Sequence, residues 1–186
     1  MVNILALIFV TGTVFGQEFW EKKEYLTWTN EEITRLTTNS PWAQDLKVTA
    51  GGQSVTLKIT WLTALPIKQA ILKDRVEAGG VLADSAKEIM GVEEQYYALG
   101  VTGLTAENAK ELTEASLKMA DKPEIRPANG DFQDRGRMVD VMILFTRMNP
   151  ITAADKEVEV VLKVGGMEFS RKFQLNEMVY NGKLEL

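Results

Sequence analysis

Apolar residues recur along this chain at three different spacings, and each change of spacing marks a boundary. The first run, Ile4 to Phe15 (ILALIFVTGTVF), is almost continuously apolar. It is shorter than the roughly 20 apolar residues a membrane crossing needs. Val14 and Gly16 stand at the −3 and −1 positions of a cleavage site before Gln17, so residues 1–16 are expected to be a signal peptide. No Lys or Arg precedes the run, which departs from the usual leader. The competing reading is a buried first strand.

Trp28-Thr29-Asn30-Glu31-Glu32-Ile33 predicts a helix start. Thr29 caps free amides, Glu32 reaches back to the Thr29 amide, and Trp28 with Ile33 closes a hydrophobic staple. That helix is expected to run to Thr38 and to stop at Asn39-Ser40-Pro41. Leu46–Ala50 and Ser54–Thr63 then flank Gly51-Gly52, a hairpin signal. In the second of these strands Val55, Leu57, Ile59 and Trp61 share one face, and Thr56, Lys58 and Thr60 the other. Pro66 suits a first helical turn, Gly79-Gly80 separates two helical segments, and Tyr96–Val101 reads as a strand with one tyrosine ring on each face.

Beyond it, Thr105 is placed as the cap of a helix carrying Ala109, Leu112, Ser116 and Met119 at steps of three and four. Ile125-Arg126-Pro127 is at best a proline-limited edge. Met138–Arg147 alternates as a strand. Val158, Val160, Leu162 and Val164 form another, which turns at Gly165-Gly166 into Met167, Phe169, Arg171 and Phe173. Thr152–Asp155 reads as one capped turn.

This order predicts a single α+β domain over residues 17–186, with a mixed, mainly antiparallel β-sheet and helices packed mostly on one face. The β–α–β passages imply right-handed crossovers with parallel neighbours. A β-sandwich with helical insertions is the alternative.

Composition narrows the chemistry. Among 186 residues there is no Cys and no His, which excludes disulfides, thiol nucleophiles, imidazole bases and the usual zinc ligands. Catalysis would fall to carboxylates, Lys, Tyr, Ser or Thr. No cofactor and no catalytic or metal site is expected. A net charge of −5 supplies no positive field for nucleic acid, and no membrane span is expected after leader removal.

The candidate sites are few. Trp20, Tyr25, Trp28 and Trp42 form an aromatic cluster, either a stacking platform for a ligand or part of the core. Asn129–Asp134 lacks the ligand spacing of a Ca²⁺ loop and reads as a polar turn. Lys22-Lys23 reads as a solvated segment. Glu157 and Glu159 would stand about 7 Å apart on one strand face, but on its solvent side. No phosphate loop or nucleophile elbow is present.

Phe19-Trp20-Glu21-Lys22-Lys23-Glu24-Tyr25-Leu26-Thr27-Trp28-Thr29, Ser40-Pro41-Trp42-Ala43, Trp61–Ala70 and the ending from Lys172 through Met178, Tyr180 and Gly182–Leu186 resemble a group of small exported proteins of acidobacterial genomes. The likeness spans most of residues 17–186, with Thr where relatives more often carry Ser at positions 29 and 63. It implies export and one domain of similar length, and supplies no activity. The expectation is therefore an extracytoplasmic (periplasmic or secreted), non-enzymatic domain that binds a protein or cell-envelope partner. The alternative is a secreted carboxylate-based hydrolase or carbohydrate-binding protein. A third reading, an apolar-ligand carrier, requires a cavity lined by Met and Phe.

Overall fold

The computed structural model describes residues 18–50, 53–90, 95–104, 106–133 and 141–186. The expected leader, the Gly51-Gly52 turn, Glu93-Glu94, Thr105, and Asp134 with the start of the Met138 strand lie outside the described residues. The chain opens with α1 (Phe19–Lys22), a 3-10 turn at Tyr25–Thr27 and α2 (Asn30–Thr38). It continues through β1 (Ala43–Ala50), β2 (Gln53–Trp61), α3 (Leu65–Glu77), α4 (Leu82–Met90), β3 (Tyr96–Thr102) and α5 (Ala106–Glu111). Strands follow: β4 (Leu112–Met119), β5 (Lys122–Ile125), β6 (Pro127–Gln133), β7 (Val141–Thr146), β8 (Glu157–Val164), β9 (Met167–Gln174), β10 (Val179–Tyr180) and β11 (Lys183–Leu184). Helices and mainly antiparallel sheets make this an α+β fold.

Local signals decide the element ends. The capping box forms as its residue types demand: the Glu32 amide donates to Thr29 Oγ1 at 3.3 Å and the Thr29 amide to Glu32 Oε2 at 2.9 Å. Trp28 and Ile33, either side of the cap, are both buried. Gly165 and Gly166 turn β8 into β9 with φ of 57° and 78°, the left-handed pair that a two-residue hairpin requires.

The strands form two sheets, ordered β1-β2-β3-β7-β6 and β5-β4-β8-β9, with β10-β11 as a separate ribbon. Both sheets feed one hydrophobic core, and Trp61 of β2 meets Phe173 of β9 edge-to-face at 5.9 Å. The described strand pairs are all antiparallel, so the parallel neighbours expected across helical connections do not form. The reason is parity. One helix between strands returns the chain to run parallel, whereas α3 and α4, packed on each other, reverse it once more. Thus β3 pairs antiparallel with β2. The strands divide between two sheets that contribute to one core rather than forming a single sheet. Thr60, expected on the polar face of β2, is buried because α2 and α3 cover that side, where a crevice of about 350 Å³ remains between Ile33, Thr37, Lys58, Ile67 and Ile71.

Two further expectations are corrected. Leu112–Met119 is not helical: it is β4, and only Ala106–Glu111 forms a helix. Its register with β8 shifts between Leu112 and Glu114, a bulge that adds one residue to one strand. Leu112, Ala115, Leu117 and Met119 are consequently the buried apolar positions, with one step of three followed by steps of two, and Ser116 is buried beside them. That single step of three imitates helical spacing. Asn129–Gln133, expected as a polar turn, belongs to β6, because the chain leaves one sheet at Ile125 and joins the other at Pro127 with only Arg126 between.

The start of β8 is latched to β5. Lys122 Nζ donates to Asp155 Oδ2 at 2.6 Å and to the Pro150 carbonyl at 2.8 Å. The Thr152 amide and hydroxyl donate to the same Asp155 oxygen at 2.7 and 3.0 Å. Burial raises the carboxyl's pKa, and the hydrogen bonds from Lys122 and Thr152 together with the Lys122 charge outweigh it, leaving the pKa below its ordinary 3.8. A native pKa below the unfolded one means the folded chain binds fewer protons, so stability rises with pH. Asp155→Asn is expected to lose about 2 kcal/mol at neutral pH, the cost of unpairing a largely buried charge-assisted group. The difference from wild type should fade as pH falls below 3.8 and through the lowered native value. Urea unfolding at pH 7 and pH 3 measures it, and a difference independent of pH would refute the latch.

Candidate functional site: the seam between two sheet edges

Each sheet has one regular edge and one interrupted edge. β5 is four residues long, contains Pro123 and shifts register against β4. β6 begins at Pro127 and shifts register against β7. Short strands, prolines and bulges are the usual ways of closing an edge to further pairing. β1 and β9, the opposite edges, are eight residues each, proline-free and paired in unbroken register along their single partners. They run beside one another without forming a ladder.

Over this seam lies an open groove of about 780 Å³. Its rim is the end of α2 and the turn Asn39–Pro41; its sides are Gln44–Lys47 of β1 and Ser170–Lys172 with Gln174 of β9, and Glu177 also lines it. The turn is held by Ser40, whose hydroxyl donates to the Leu36 carbonyl at 2.6 Å and accepts from the Trp42 amide at 3.2 Å. Lys58 Nζ ties that turn to β1, donating to the Thr38 carbonyl and to Asp45 Oδ1, each at 2.5 Å. Across the seam Arg171 Nε donates to Gln44 Oε1 at 2.7 Å.

The groove's charges are unequally engaged. Asp45 pairs with Lys58 and Lys172 with Glu157. Lys47 and Arg171 have no carboxylate partner among the described residues, and neither does Glu177 have a cation. Sequence reasoning missed this site. The signal was Arg171, which occupies the core-facing phase of the run Met167, Phe169, Arg171, Phe173. A charge on that phase marks an edge strand.

The four aromatic residues expected as a platform do come together, but inward. Trp20 is 5% exposed, Trp28 1% and Trp42 0%, while Tyr25 is half-buried. Trp20 meets Trp42 edge-on at 5.7 Å, and Phe19 bridges Trp20 and Trp28 at 4.9 and 5.6 Å. Arg35 lies over the Phe19 and Trp20 rings and pairs with Glu18 at 2.7 Å, closing the cluster from outside. Three indole faces are therefore spent on packing, and the stacking-platform reading is corrected to a core reading. Lys22 and Lys23 are exposed, as expected, with Lys23 donating to Glu32 at 2.5 Å.

Glu157 and Glu159 lie on the outer face of β8, and each serves β9. Glu157 accepts from Lys172 and Gln174 at 2.6 and 3.0 Å, and Glu159 from Ser170 at 2.6 Å. The Lys172 hydrogen bond holds the Glu157 carboxyl below the ordinary carboxylate range. On the same face Lys163 meets Glu114 at 2.9 Å and Lys118 meets Glu168 at 3.4 Å. No cluster of three acidic side chains suited to a metal ion occurs among the described residues. Within them, too, no helix is long and apolar enough to cross a membrane.

Compared with known proteins, the chain matches no family model, no curated protein and no solved structure.

Proposed function

We propose that this is an exported, non-catalytic binding domain whose partner, a protein or cell-envelope component, engages the groove between β1 and β9. The observation that carries the reading is the contrast between seams: one pair of sheet edges is interrupted by proline and bulges, while the other is regular, open and lined by polar groups. Export is supported by the leader pattern of residues 1–16 and by the resemblance to exported acidobacterial proteins. The hydrolase alternative gains no support from the acids. Glu157, already ionised and bonded to Lys172, is the reverse of a general acid, which needs a raised pKa to hold its proton near neutral pH.

The absence of cysteine makes the test direct, since one introduced thiol is the only label site. Asn39→Cys and Gln174→Cys place a photo-crosslinker on the groove; Lys110→Cys places it on α5, away from the groove. Incubated with envelope extract, both groove variants are expected to give the same crosslinked species, and the α5 variant none. Adducts of equal yield from all three positions, or turnover of a glycan or ester panel by the unmodified protein, would defeat this reading.

A further inference from the structure

We propose that the seam accepts an extended acidic segment of a partner protein as an added β-strand, selected by Lys47 and Arg171. This rests on the reading of the groove as the binding site and specifies what fills it. Three observations converge on it.

The first is main-chain capacity. A strand at a sheet edge presents a row of unpaired N–H and C=O groups, and an extended peptide satisfies them by becoming the next strand. β1 and β9 ladder in continuous register with β2 and β8 and not with each other. They approach one another along part of their length, so the row open to a further strand is the part of either edge beyond that approach, without the prolines and register shifts of β5 and β6.

The second is charge. Every charged side chain of the groove except Lys47, Arg171 and Glu177 already has an opposite charge within the chain. Lys47 makes no hydrogen bond to a described residue. Arg171 uses only Nε, toward neutral Gln44, which leaves the terminal fork of its guanidinium for a carboxylate, the geometry guanidinium binds best. Glu177 confines acidic side chains of the incoming segment to the neighbourhood of the two cations. The surplus cations stand out on a chain of net charge −5.

The third is the positioning of Arg171. Its place on the core-facing phase of β9, beside buried Phe173, carries the guanidinium across the seam rather than out over the sheet, and Gln44 fixes it there. An inward-pointing charge at an edge discourages indiscriminate strand pairing. Here the same charge admits a strand that brings its own carboxylate.

The experiment titrates the full chain with a fluorescein-labelled peptide of repeating Thr-Glu-Val-Glu. Two partners serve as comparison: the same peptide with lysine in place of glutamate, and the acidic peptide with alternate amides N-methylated. Fluorescence anisotropy reads binding, and hydrogen exchange reads which amides slow. The expected result is binding of the acidic peptide at least about tenfold tighter than the lysine peptide, as complementary charge dictates. N-methylation should abolish it, and exchange should slow within 43–50 or 167–174. The Lys47→Glu, Arg171→Glu double variant should weaken binding about tenfold or more. Arg171→Gln, which keeps a neutral polar side chain, serves if the double variant does not fold. Equal binding of the lysine peptide overturns the acidic preference, and indifference to N-methylation overturns strand addition. If crosslinks still form from Asn39→Cys and Gln174→Cys while no peptide slows either strand, strand addition fails and the groove reading survives. If neither occurs, both fail.

Discussion

Replacing Trp42 by alanine is expected to lower the free energy of unfolding by about 4 kcal/mol, the usual scale for emptying a fully buried indole site. Trp42 is 0% exposed, touches Trp20 edge-on, and donates its indole N–H to the Glu185 carbonyl at 2.9 Å. It therefore fastens the end of the chain to the segment entering β1. Around the same end, Arg147 donates to the Leu186 carbonyl at 2.6 Å and stacks on Tyr97 at 4.3 Å. Trp42→Phe should retain most of the packing and lose the hydrogen bond, at a cost of about 1–2 kcal/mol. Urea unfolding followed by circular dichroism measures both. A domain of this size is stable by only about 5–15 kcal/mol, so the alanine variant should sit near its folding limit. The result also bears on function. A surface platform loses ligand when its tryptophan is removed and keeps its stability; a core tryptophan does the opposite. A loss under about 1 kcal/mol would contradict the core assignment and restore the platform reading.

Gly103→Ala should destabilise the fold by about 2–4 kcal/mol. Gly103 follows β3 with φ of 92°, and a Cβ built there lies 2.6 Å from the Thr56 carbonyl oxygen of β2. Neither problem has a cheap solution. The positive φ disfavours any L side chain, and the obstructing atom is backbone, fixed in the ladder with β1. Gly166→Ala is the control: its φ is 78°, but nothing lies within 4 Å. It should cost only the conformational part, about 1 kcal/mol. Thermal unfolding of the two variants separates strain from collision. Equal losses would mean that β2 yields to the methyl group.

Legibility from sequence followed the range of the forces involved. The capping box at Thr29 and Glu32, the helix stop before Pro41, the hairpin at Gly165-Gly166 and the alternation of Val158, Val160, Leu162 and Val164 each depend on residues a few positions apart, and each was readable. The β4 segment was misread because a bulge changes spacing for a reason that exists only in its pairing with β8. Thr60 was assigned to solvent because period two reveals two faces of a strand but not which helices lie over them. The aromatic cluster was recognised as a cluster, yet its direction was open: whether indoles point in or out depends on what packs beneath them. The groove was least legible, because Lys47 and Arg171 are far apart in sequence and share a site only through the meeting of two sheet edges.

By itself, then, the sequence determined the absence of Cys and His, the helix and hairpin boundaries just named and the α+β class. These rest on residue identity and on interactions within one or two turns of chain. The tertiary structure alone decided the all-antiparallel pairing among the described strands, the burial of Trp20, Trp28 and Trp42, and the open seam between β1 and β9. Those features arise from how many times the chain reverses between strands and from which sheet edges meet without pairing, and no local pattern records either.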